Sequence, residues 1–303
     1  MFVPGTPAKQ LGYARSSVRA ICLIETGSQA HRKIMDCNVA AHLLKVRGGL
    51  RYPFSIMNHG VKIILLALGL NLLPAARIHA GPPFLTDDPA PVDYQHWEAY
   101  LFGAGDHTGE GYSINGPAVE LNYGVLPDTQ FHLVVPMTTV GGSGVPTVSG
   151  LGDTEFGIKY RFLPETNGWP QIGVFPMVEL PTGDADRGLG NGRAWFRLPL
   201  WIQKSFGPWT TYGGGGVALN SAPGQRDYAF GGWLVQRNFG ERLMLGGEIF
   251  AQGAAAEGDQ GFAAFNFGGS YTLCQNFSLL FSAGHSFAGD RHTLWYFGGY
   301  WTW

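Results

Sequence analysis

The last eleven residues, TLWYFGGYWTW from Thr293 to Trp303, place Trp295, Phe297, Trp301 and Trp303 on one side of a two-residue alternation, and the sequence ends on the tryptophan. A soluble domain rarely leaves so aromatic a strand at a free end, because an uncovered apolar edge invites aggregation. In a closed barrel the same side faces lipid and the edge pairs with the first strand. The alternation therefore predicts the closing strand of a membrane barrel. A last strand buried in a soluble β-sandwich is the competing solution.

Charge divides the chain into two unlike pieces. Residues 1–80 hold ten Lys or Arg and two Asp or Glu, whereas residues 81–303 hold ten and twenty, so the second piece carries a net charge of −10. At the junction, Met57 and Lys62 precede an apolar run over 63–73, broken only by Gly69 and Asn71, and small residues lead to Ala80. This is the order of a secretory signal, and the run is shorter than the roughly 20 residues of a membrane-spanning helix. We expect residues 57–80 to be a signal peptide cleaved after Ala80, and residues 1–56 to be a non-native, disordered N-terminal extension from an upstream start codon. The remainder divides into a proline-rich arm or plug over 81–95 and a barrel over 96–303. Thirty-nine of the 46 glycines lie after Ala80, which argues against long helices there.

Short alternating segments separated by turn residues predict twelve strands, near 96–105, 116–125, 129–139, 153–163, 171–181, 194–205, 209–219, 228–238, 243–253, 262–273, 276–287 and 293–303. Each has about the ten residues that a tilted strand needs to cross an outer membrane. Connections after even-numbered strands are mostly tight. Those after odd-numbered strands are mostly longer: 106–115, 141–152, 182–193, 221–227 and 254–261. Short periplasmic turns and longer outer loops follow this parity in outer-membrane barrels, which leaves both termini in the periplasm. The fold class expected is therefore all-β, a closed antiparallel transmembrane β-barrel of about 12 strands preceded by a cleavable signal peptide.

Alternation also assigns faces. Over 154–163, Phe156, Ile158, Tyr160 and Phe162 share one side and Glu155, Lys159 and Arg161 the other. A charge facing mid-membrane lipid costs roughly 2–4 kcal/mol, so the charged side takes the lumen. By the same parity Glu98 with His96, Glu120 with Asn122, Glu179, Arg197 with Gln203, and Glu248 with Gln252 point inward. The strand at 228–238 stays ambiguous, because Trp233 and Val235 share a side with Arg237. Twelve strands enclose more room than a filled eight-strand barrel and much less than general porins do, so a narrow channel or a partly plugged path is expected. Opposed charges across it would either select solutes or brace the wall.

The segment over 81–93 has four prolines and cannot be a central strand. It either folds into the lumen as a plug, setting Asp87 and Asp88 against Lys159, Arg161 or Arg197, or forms a solvated periplasmic arm. The strings GPPFLTDDPAPVDYQHWE (81–98), GLGDTEFGIKYRFL (150–163), FPMVELPTGD (175–184) with GLGNG (188–192), and LPLWIQKSFGPWTTYGGGG (198–216) occur in order. Over them the chain resembles the outer-membrane proteins grouped as "MetA-pathway of phenol degradation". The resemblance covers all of the chain after the leader and none of residues 1–56. It implies a transporter associated with the breakdown of aromatic compounds, passing small organic solutes, and it supplies no binding or catalytic residue.

Other chemistries find little in the sequence. A serine hydrolase needs a hydroxyl, a base and an orienting group within hydrogen-bond reach. His285 and Ser286 are adjacent on a strand and point to opposite faces, and His292 beside Asp290 has no marked serine partner. No enzyme activity is expected. Residues 184–191 resemble calcium-binding loops weakly but lack the closing glutamate, and a plain glycine-rich loop is the better reading. No zinc cluster, dinucleotide fingerprint or phosphate loop is present, so neither a cofactor nor a metal is expected, and the net negative charge argues against nucleic acid as a partner. The expected partners are outer-membrane lipid, small-molecule solutes, and the barrel-assembly machinery, met through the C-terminal strand ending at Trp303.

Overall fold

A computed structural model describes residues 82–303. The expected signal peptide and N-terminal extension lie outside these residues. Fourteen strands follow one another: β1 (Trp97–Thr108), β2 (Gly111–Leu126), β3 (Thr129–Gly142), β4 (Val145–Leu151), β5 (Thr154–Leu163), β6 (Gln171–Val174), β7 (Met177–Leu180), β8 (Trp195–Phe206), β9 (Trp209–Leu219), β10 (Tyr228–Phe239), β11 (Leu243–Gln252), β12 (Phe262–Cys274), β13 (Phe277–Gly289) and β14 (His292–Thr302). All pairings between them are antiparallel. β4 and β5 both pair with β3, and β6 and β7 both pair with β5 and β8. Each of these couples is one stave with a break in it, so the wall has twelve staves. β1 pairs with β14 from Glu98↔Thr302 to Thr108↔His292, and the cylinder is closed. The backbone of Trp97 and Trp303 completes the seam with hydrogen bonds of 2.9 and 3.1 Å.

Closure explains why so many large apolar side chains face outward. Phe156, Ile158, Tyr160 and Phe162 of β5, Leu198 and Leu200 of β8, Phe265 and Phe267 of β12, and Trp295, Phe297 and Trp301 of β14 are all exposed. Among water-facing sheets such a belt would aggregate, whereas lipid accepts it. Aromatic rings gather at the end of the cylinder that carries the short turns. Trp97 lies 4.4 Å from Tyr123 and 6.4 Å from Trp303, and Phe277 lies 4.6 Å from Trp301. Such a girdle suits the headgroup level.

Arg237 belongs to the same girdle and resolves the ambiguous strand. Its guanidinium lies over the rings of Trp209 and Phe239, at 5.3 and 4.9 Å. Trp233, Val235 and Arg237 face outward, and Leu234 and Gln236 are buried in the lumen. The charge is tolerated because it sits at the rim, where its long stem reaches the interface.

Two expected loops are instead ladder. Residues 106–115 form the tip of a long β1–β2 hairpin, paired as far as His107↔Tyr112, and 141–152 is mostly β4, paired with β3 as far as Gly142↔Val145. Val145–Leu151 is exposed on most of its length, so both of its sides meet water and no apolar alternation marks it. Polar pairs hold these extensions instead: Tyr112 Oη with Thr147 Oγ1 at 2.7 Å, and Thr139 Oγ1 with Ser149 Oγ at 2.8 Å. The connections over 181–194, 220–227 and 253–261 remain long. In the first, Asp153 organises the glycine-rich turn by accepting the N–H groups of Gly183 (2.9 Å) and Asn191 (2.6 Å).

Candidate functional site: the lumen and its N-terminal arm

The arm over 82–93 lies inside the cylinder. Proline at 82, 83, 89 and 91 removes N–H groups that a wall strand would need, so the arm cannot join the sheet. Its remaining donors must find partners wherever it is buried. The wall supplies them. Glu248 accepts the N–H groups of Leu85 and Thr86, one on each carboxylate oxygen, both at 2.7 Å, and is itself held by Asn266 Nδ2 at 3.0 Å. Gln130 Oε1 accepts the N–H of Val92 at 2.8 Å, and Ser282 donates its hydroxyl to the carbonyl of Pro83 at 2.6 Å. Phe84 packs on Tyr212 and Leu234, while Leu85 packs on the cluster of Phe250, Phe262 and Leu294.

Charge fixes the middle of the arm. Lys159 Nζ lies 3.0 Å from Asp87 Oδ1 and 3.7 Å from Asp88 Oδ2, with all three residues buried. The arm leaves the lumen at the turn end, where Gln95 donates to the Gly124 carbonyl at 2.7 Å. A Cβ on Gly124 would stand 1.9 Å from the Asp93 carbonyl oxygen, so only glycine lets the arm cross the wall there.

A second network lies beside the arm. Arg197 bonds the carboxylate of Glu155 and lies 3.6 Å from Glu179. His132 reaches Glu155 through Nε2 at 2.9 Å and Asn122 through Nδ1 at 2.7 Å, and Asn122 donates to Glu120 at 2.9 Å. Glu98 accepts the hydroxyls of Tyr100 and Tyr300 at 3.0 and 2.7 Å. The parity assignment thus places Glu98, Glu120, Glu155, Lys159, Glu179, Arg197 and Glu248 in the lumen, together with Asp87 and Asp88 of the arm.

Arg161 is on the inward row but does not meet the arm. It is half-buried near the turn end, where Nε donates to Asp128 at 2.9 Å and a terminal nitrogen to Gln171 at 3.0 Å. Arg197 pairs with Glu155 and Glu179 and meets Asp87 of the arm as a neighbouring charge. His96, expected inward with Glu98, is exposed before β1 begins. Gln130 and His132 were legible by parity with Val134, whereas Ser282, a small uncharged residue after Phe281 in β13, carried no charge to mark it.

His292 finds its carboxylate in Asp106, at 2.7 Å through Nδ1, and not in Asp290. Ser286 accepts the backbone N–H of His292, and His285 bonds Thr293. Among the described residues no group of three or more His, Cys, Asp or Glu could hold a metal ion.

Among the described residues, small cavities lie beside the arm. One, of about 70 Å³, lies between residues 82–85 and staves β1, β2, β12, β13 and β14. Another, of about 20 Å³, lies among Leu85, Met177, Trp201, Phe230 and Phe250.

No protein-family profile matches this sequence, and no curated protein matches it. Among solved structures the chain is similar to the COG4313 outer membrane channel from Pseudomonas putida F1, at 14% identity and a TM-score of 0.60, over 71% of this chain and 98% of that one. The outer membrane channel DcaP of Acinetobacter baumannii matches at 9% identity over 71% of this chain and 100% of that one, but its TM-score of 0.32 is too low to bear on the shape of this wall. The chain is a closed antiparallel barrel of twelve staves, and it shares the fold of the Pseudomonas putida channel.

Proposed function

We propose that the protein is an outer-membrane channel for small organic solutes whose path is closed by its N-terminal arm. The observation that carries this is the docking of residues 82–93 in the lumen by Glu248, Gln130, Ser282 and Lys159. A barrel that served only as a scaffold could fill its interior with side chains from its wall. Here a separable segment fills it, held largely by polar contacts that can be exchanged for water. The outward apolar belt and the aromatic girdle support a place in the outer membrane, with both termini on the periplasmic side. The edge formed by β14 is the surface that the barrel-assembly machinery would meet. The sequence resemblance supports aromatic compounds among the solutes.

The test is swelling of liposomes containing the folded protein, with sugars of graded size beside phenol, catechol and benzoate, in the full chain and in a form lacking residues 81–93. Faster entry of aromatics than of sugars of similar size, increased by the deletion, is the expected result. The small volume of the cavity beside residues 82–85, about 70 Å³, favours a second reading, a closed structural barrel without transport. No permeation through either form, with folding shown by heat-dependent gel mobility, would establish that second reading.

A further inference from the structure

The larger cavity combines apolar walls with oxygen atoms that lack donors. Phe84 and Leu85 of the arm, Phe102 of β1 and Leu294 of β14 form the apolar part, and the Phe102 and Tyr296 rings stack with centroids 5.1 Å apart. Glu120, Asp106 and Asn266 line the same space. Asp106 has one oxygen on His292, but its Oδ1 is buried without a hydrogen-bond partner, and Asn266 Oδ1 and the Tyr296 hydroxyl share that condition. Asp106 and Asn266 are 5% and 3% exposed, so neither oxygen is satisfied by bulk water.

The balance of charge at the cavity is one-sided. Two carboxyl groups line it and no lysine or arginine does. Lys159 is engaged by Asp87 and Asp88, and Arg197 by Glu155 and Glu179. A carboxylate solute would meet like charge. An apolar solute would leave the acceptors unpaired, and an alcohol would bring a single donor. An ammonium group brings three donors and the matching charge, and aromatic ring faces nearby favour it further.

We infer that this cavity is a binding site for a small organic ammonium ion, one primary amine on a body of one or two carbons, the size that a space of about 70 Å³ admits. The inference rests on the channel reading in taking the lumen to be reached by solutes, and it names a class of solute for it.

The test is isothermal titration of the folded full chain in detergent at pH 7, with ethylammonium, ethanol and acetate as probes of similar size and three charges. Ethylammonium should bind at least about tenfold more tightly than ethanol, and acetate should not bind. Asp106→Asn and Glu120→Gln should each weaken ethylammonium about tenfold and change ethanol by less than about threefold. Equal affinity for the three probes, or no binding of any, would overturn the site. The comparison of probes on the unmodified protein decides the matter even if a variant fails to fold. Binding is read without transport, so the two proposals fail separately. Amine binding without swelling would keep the site and remove the channel, and swelling without charge preference would do the reverse.

Discussion

Lys159 holds a buried ammonium between the two carboxyl groups of Asp87 and Asp88, and Phe175 lies 4.8 Å beneath it. Removing one member of a buried ion pair typically costs about 3–5 kcal/mol, because the other is left charged in a poor solvent. Here the stranded carboxylates are on a segment that can leave. Lys159→Met should therefore release the arm without unfolding the wall. Single-channel conductance should rise several-fold while the heat-dependent gel shift is retained, and unchanged conductance would show that the ion pair does not hold the arm. The partner Asp88 adds a dependence on pH. Burial pushes its carboxyl up to about 8, Lys159 pulls the other way, and Asp87 adds to the rise. A carboxyl with a higher pKa when docked than its ordinary 3.8 binds its proton more tightly in the docked arm. Docking thus gains as pH falls below about 8, is fully strengthened below 3.8, and weakens as pH rises through about 8. Conductance should be lower at about pH 6 than at about pH 9, and Asp88→Asn should flatten that difference. The inward place of Lys159 was legible from alternation alone, since Phe156, Ile158 and Tyr160 mark the other face. Its choice of Asp87 and Asp88 over Glu155 was not, because all three carboxylates lie within reach of an inward-facing row.

The staves show where a two-residue period can be read and where it fades. In β5 and β14 every outward position in mid-stave is large and apolar or glycine, and the expected strands match the observed ones closely. In β10 the glycines at 231 and 232 remove two side chains from the pattern and Arg237 sits at the rim, so sequence parity alone gave no answer. β4 was hidden for a different reason, as water bathes both its sides. The outward face can be tested at mid-stave. Phe297 is 57% exposed and is paired with Gly103 of β1 and Phe281 of β13. Phe297→Arg should destabilise the barrel by about 2–4 kcal/mol in lipid vesicles, as measured by denaturant unfolding. A loss below about 0.5 kcal/mol would mean that this face is not in hydrocarbon. The outward glycines of the neighbouring stave follow the same logic of space. A Cβ on Gly105 would stand 2.3 Å from Trp295 Nε1, so the indole lies flat on the β1 backbone.

Among the described residues the lumen holds more acids than bases. Glu98, Glu120, Glu155, Glu179, Glu248, Asp87 and Asp106 are buried, with Asp88 joining them as a charge above about pH 8, against the permanent charges of Lys159 and Arg197 and the rings of His132 and His292. A narrow path through low-dielectric walls magnifies such an imbalance. In a KCl gradient across a planar bilayer, the reversal potential should report preference for potassium over chloride, and Glu248→Gln should lessen it. Preference for chloride would contradict the sign read from the lumen. The sequence already carried the acids, their inward parity and a plug that would set Asp87 and Asp88 in the lumen, but it left that plug open against a solvated arm, because four prolines exclude a wall strand without saying where the segment goes. That arm is gripped by β3 through Gln130, β5 through Lys159, β11 through Glu248 and β13 through Ser282, staves drawn from both halves of the sheet. A cylinder whose last joint lies between β1 and β14 encloses whatever is inside when that joint forms. The arm can therefore act as a mandrel: staves condensing around it while the sheet is still open would be brought to their final curvature, and the seam would close on a core already in place.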